Sequence, residues 1–109
     1  MKRGTRYPRD MPGTWTFLTN HGHVLVAVAA NPDARLREIA ATVGITERAA
    51  QLIVGDLEAG GYLSRERIGR RNRYQIHRGG AFRHPAEAGQ SVDQLLAIFL
   101  EGAGVGGGR

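Results

Sequence analysis

The chain has 109 residues, enough for one domain with a single modest core. Its formal net charge is +5 with 15 basic against 10 acidic residues, so a polyanion is the first partner to consider. There is no cysteine, which excludes disulfides, thiolate zinc sites and cysteine nucleophiles.

No apolar run reaches the length of a membrane span. The opening residues carry Lys2, Arg3, Arg6 and Arg9, but no apolar segment follows as in a signal peptide. A cytoplasmic protein without membrane contact is expected. Residues 1–13, broken by Pro8, Pro12 and Gly13, read as a flexible basic arm. Residues 14–101 read as the folded domain, and the glycine-rich residues 102–109 as a disordered tail.

The first helix is expected to start near Thr19 or Asn20, either of which can cap it. Val24, Leu25, Val28 and Ala29 follow at helical spacing, and Asn31-Pro32-Asp33 ends the run. Arg35-Leu36 is expected to form a short strand that later pairs with a hairpin. A second helix over Arg37–Val43 would bury Ile39, Ala40 and Val43, with Gly44 supplying the left-handed end.

Thr46 then caps a third helix that Gly60-Gly61 closes. At about 100° per residue, Ala50, Ile53, Val54 and Leu57 share the buried face. Arg48, Gln51, Leu52 and Gly55 fall on the open one. Leu63–Arg67 and Arg73–His77 follow as strands of a hairpin with its tip at Gly69–Asn72. Tyr74 and Ile76 point to one side; Arg73, Gln75 and His77 point to the other. Arg78–Gly89 is a connector, and Ser91 caps a last helix over Val92–Leu100.

This order of elements, mainly α with a small β-hairpin, is that of a winged helix-turn-helix. The segments Leu36-Arg37-Glu38-Ile39-Ala40, Gly44-Ile45-Thr46-Glu47-Arg48-Ala49-Ala50 and Leu57-Glu58-Ala59-Gly60-Gly61-Tyr62-Leu63 resemble the MarR-like and ArsR-like winged-helix regulators of prokaryotes. The closing Gly69-Arg70-Arg71-Asn72-Arg73-Tyr74 resembles wing sequences in small bacterial winged-helix regulators. The resemblance spans roughly residues 18–77. It implies sequence-specific binding of double-stranded DNA, usually by a dimer. By position, Thr46, Glu47, Arg48, Gln51 and Leu52 match the recognition helix, and Arg67 to Arg73 match the wing. Longer terminal helices of the MarR type and the Cys or His clusters of metal-sensing ArsR types are lacking in the sequence.

The residues carry the same reading. Arginine and glutamine can read guanine and adenine edges, so Arg48 and Gln51 suit a major groove, though on an arbitrary helix they would be solvated surface. Leu52 would meet a thymine methyl group or stay exposed. Glu47 suits either the helix N-terminus or a cytosine amino group. Arg65, Arg67, Arg70, Arg71 and Arg73 set five positive charges against Glu66 in the hairpin, for phosphate or minor-groove contact. Asn72 is either a contact or a turn residue.

His21, His23, His77 and His84 lack metal-ligand spacing, and no nucleophile motif, phosphate loop or carboxylate pair stands out. Neither cofactor nor enzyme activity is expected. Leu95, Leu96, Ile98, Phe99 and Leu100 make the last helix apolar around most of its circumference. With Trp15 and Phe17 they are the expected homodimer surface. Two rivals to a DNA-binding regulator remain: a winged-helix docking module without DNA specificity, and an effector-responsive sensor.

Overall fold

The computed structural model describes residues 15–77 and 79–101. The basic arm and the glycine-rich tail expected at the two ends lie outside them. The order is α1 (Asn20–Ala30), α2 (Leu36–Val43), α3 (Glu47–Ala59), β1 (Leu63–Ile68), β2 (Arg71–Ile76) and α4 (Val92–Leu96), which continues as a π-helical turn over Ala97–Glu101.

Local chemistry sets each helix end. The Thr19 hydroxyl accepts from the Gly22 N–H at 3.2 Å to open α1. Asn31 and Pro32 close it, since proline has no N–H to continue the ladder. At the start of α2 the Glu38 carboxylate accepts the Arg35 N–H at 2.7 Å. Gly44 ends that helix in the left-handed region at φ 86°, which favours glycine. Two residues later Thr46 accepts from the Ala49 N–H at 3.0 Å and α3 begins. A tight turn with a cap on both sides fixes the angle between α2 and α3.

The three helices bury one stripe each: Val24, Leu25 and Val28 from α1, Ile39 and Ala40 from α2, and Ala50, Ile53, Val54 and Leu57 from α3. Val43, expected in the core, is only partly buried against it. The hairpin closes this core with Leu63 and Tyr74, and α4 adds Val92 and Leu96. Burial in this cluster is wholly apolar among the described residues. Each large aliphatic side chain there contributes about 1.5–3 kcal/mol by leaving water.

β1 and β2 pair antiparallel from Leu63↔Ile76 to Ile68↔Arg71. The strands are therefore longer than expected at the tip. Arg71 and Asn72, read from the sequence as turn residues, belong to β2, and the loop shrinks to Gly69-Arg70 with Gly69 at φ 62°.

The expected strand at Arg35-Leu36 does not form. Arg35 is the cap of α2 and Leu36 its first residue. The chain instead meets the hairpin three residues earlier, where the Tyr74 N–H donates to the Pro32 carbonyl at 3.0 Å. Helix capping by Glu38 claims the Arg35 N–H that a strand ladder would need.

The connector after β2 folds back on itself. Ala81 pairs with Ser91 in an isolated antiparallel bridge, the Val92 N–H donates to Gly80 O at 2.7 Å, and the Tyr62 hydroxyl donates to Ala81 O at 2.6 Å. A single turn of 3-10 helix at Pro85–Glu87 lies between. This clasp delivers α4 to the core. The last helix covers the expected Val92–Leu100, but it widens into the π turn right after the buried Leu96.

Candidate nucleic-acid interface

α3 presents Arg48, Gln51 and Leu52 to solvent, on the side opposite its buried stripe. Thr46 and Glu47 sit at its first turn. The Thr46 hydroxyl serves as the cap, and the Glu47 carboxylate lies near the positive end of the helix. Among the described residues Arg48 enters no ion pair.

Beside this face, α3 and the hairpin enclose an open cleft of about 470 Å3, closed on its third side by the start of α2. Its rim is Arg35, Arg65, Arg70 and Arg71 with the amides of Gln51 and Asn72. Its floor is apolar: Ala34, Leu36, Val54 and Tyr74. Four guanidinium groups line it and no carboxylate does. Such walls focus a positive potential where an anion with an apolar flank would fit.

The hairpin arginines do not form one uniform cluster. In the antiparallel register Arg65 lies across from Tyr74 and Arg67 across from Asn72, so these share the face that turns towards the helices. Glu66 and Arg73 are cross-strand partners on the outer face. Arg65 donates to the Glu58 carboxylate of α3 at 2.8 Å, which ties the hairpin to the helix. Arg67 Nε donates to Gly69 O at 3.1 Å, bracing its own turn. Arg73 Nε donates to Asp33 Oδ1 at 2.8 Å, and the Arg71 guanidinium donates to the Asp33 carbonyl. Arg70, at the tip, enters no ion pair among the described residues.

The charges respond to this arrangement. The hydrogen bond from Arg73 holds the Asp33 carboxyl below the ordinary aspartate value of 3.8, and the same bond raises the Arg73 guanidinium. Burial raises the Tyr74 phenol. Because the folded Asp33 titrates below its unfolded value, its stabilising contribution is complete above 3.8 and is lost as pH falls through the lower folded value. Urea midpoints from about pH 5 down to about pH 2 should therefore fall more steeply for the parent than for Asp33→Asn. Equal slopes would remove Asp33 from the acid response.

The sequence missed three parts of this site. Arg35 lines the cleft but had been assigned to a strand. Asp33, forty positions from Arg73, and Glu58, on the preceding helix, add two carboxylates, so the hairpin's charge is more balanced than five against one.

The expected dimer residues separate into two groups. Leu96 is fully buried in its own core, and Leu95 and Leu100 are partly buried. Trp15 and Phe17 are 68% and 91% exposed, and Ile98 and Phe99 are 66% and 44% exposed. The Trp15 and Phe17 rings meet edge to face, 5.1 Å apart.

Among the described residues no cluster of three or more His, Asp or Glu could hold a metal, and no helix is long and apolar enough to cross a membrane. His21 instead meets Asp56 of α3 at 2.8 Å. No protein-family model matches the chain, and no curated protein matches it either.

Proposed function

We propose that the chain is a winged helix-turn-helix protein that binds double-stranded DNA and regulates transcription. α3 would be the recognition helix, with Arg48 and Gln51 reading base edges and Leu52 beside them for a thymine methyl group. Thr46 and Glu47 would flank the groove at the helix start. The hairpin would be the wing, with Arg67 and Asn72 on its inner face.

The observation that carries this reading is the cleft next to α3, with four arginines and no carboxylate. A duplex laid on α3 offers a phosphodiester for the arginines and a deoxyribose for the apolar floor. The test is titration of a duplex over a salt series. Release of counterions by the cleft arginines should give a log–log slope of about −3 or steeper. A flat response would favour the docking-module reading, which the exposed Leu52 and Ile68 support.

The protein is read further as a homodimer pairing through Trp15, Phe17, Ile98 and Phe99, whose exposure leaves apolar surface in water. Deleting α4 is not a fair test, because Val92 and Leu96 belong to the core. The variant Ile98→Lys with Phe99→Ser changes only exposed side chains. Light scattering at micromolar concentration should give a dimeric mass for the parent and a monomeric one for the variant. A monomeric parent would end this part of the proposal.

A further inference from the structure

The two faces of the hairpin differ in charge balance. Its inner side opens on the cleft, where no carboxylate lines the wall. On the other side, which Arg71 shares by register, Arg73 stands between two carboxylates, Asp33 from the α1–α2 turn and Glu66 across the strand pair. The turn is already fixed to β2 without the Asp33 side chain. The Tyr74 N–H holds the Pro32 carbonyl, and Arg71 holds the Asp33 carbonyl.

The Asp33 carboxylate thus adds little to the placement of the turn. Its contact with Arg73 joins two half-exposed side chains, 54% and 56% accessible, a setting in which ion pairs contribute little stability. What it does change is what a passing anion meets. It occupies Nε of the Arg73 guanidinium as a phosphate oxygen would and offsets its charge.

We infer that Asp33 is an internal counter-anion that competes with phosphate for Arg73 and so favours polyanion binding in the cleft beside α3. The role of the cleft rests on the DNA-binding reading above. A hairpin with two open cationic faces would hold any polyanion in several poses. With Arg73 masked, the favoured track for the backbone is the cleft beside α3, and indiscriminate binding is held down.

The variant Asp33→Asn separates charge from geometry, because an asparagine Oδ1 can still accept from Arg73 Nε. Its affinity for an arbitrary duplex should rise about two- to fivefold, the span that exposed ion pairs carry. Its salt slope should steepen by about one, for one further phosphate contact. Glu87→Gln, the same change in net charge on the exposed connector, should move neither as far. Adding Arg73→Ala to Asp33→Asn should cancel the gain, while Arg73→Ala alone, which leaves the Asp33 carboxylate unpaired, should weaken binding.

Asp33→Asn binding no tighter than Glu87→Gln, or a gain that survives Arg73→Ala, would overturn the inference. If the parent holds no duplex at any salt, the DNA reading fails, and phosphocellulose still decides the matter. There Asp33→Asn should elute at higher salt than both parent and Glu87→Gln, and elution together with them would refute the role assigned to Asp33.

Discussion

Replacing Arg70 and Arg71 together by alanine is expected to weaken binding to every DNA sequence alike and to flatten the salt slope by about two units. Both side chains line the cleft. Arg70 stands at the tip of the hairpin, on a loop that Gly69 turns at φ 62°, where its guanidinium can follow a backbone. Arg71 donates a hydrogen bond to the Asp33 carbonyl, a neutral acceptor, and forms no ion pair among the described residues. Neither residue belongs to the buried cluster, so the double variant should lose little more stability than the Arg71 bond to the Asp33 carbonyl supplies. The preference among sequences should survive, since it is assigned to Arg48 and Gln51 on α3. A slope unchanged from the parent would mean that the cleft does not meet the backbone.

Replacing Leu96 by alanine is expected to cost about 2–5 kcal/mol of folding stability, read as a lower urea midpoint. Leu96 is fully buried, and it comes from the last described helix to join the core. Its loss leaves a cavity in the core, where α1 packs against the π turn that follows Leu96. Ile98→Ala, two residues on, removes an exposed side chain and should change the monomer's stability by about 0.5 kcal/mol or less. A small loss at Leu96 would show that α4 is an appendage and not part of the domain.

The three helices were legible because each signal is local. Thr46 three residues before Ala49, Gly44 at a helix end, and apolar residues every three or four positions act within one or two turns of chain. The open face of α3 followed from the same arithmetic, since fixing Ala50, Ile53, Val54 and Leu57 inward leaves Arg48, Gln51 and Leu52 outward.

What was not legible depends on long-range contacts. Asp33 meets Arg73 forty positions away, and His21 meets Asp56 thirty-five away, and no periodicity announces either. The Ala81–Ser91 clasp has no strand-like composition. Arg35 was misread for a local reason: an extended residue before an apolar one can be a strand or a helix cap, and only the Glu38 side chain on its N–H decides. The extra length of β2 was hidden because Gly69, Arg70, Arg71 and Asn72 all suit a turn, whereas pairing of Ile68 with Arg71 leaves just two of them in it.

The central claim is that α3 reads duplex DNA while the cleft beside it grips the backbone. Selection of bound duplexes from a random pool, using the full chain and an Arg48→Ala variant in parallel, tests it most directly. The account predicts a defined consensus for the full chain, made of two inverted half-sites about 10 base pairs apart if two copies pair. Arg48→Ala should lose preference at one position in each half-site, by about 1–3 kcal/mol, with the rest of the consensus intact. Enrichment of no sequence over the starting pool, or an unaltered consensus with Arg48→Ala, would contradict it.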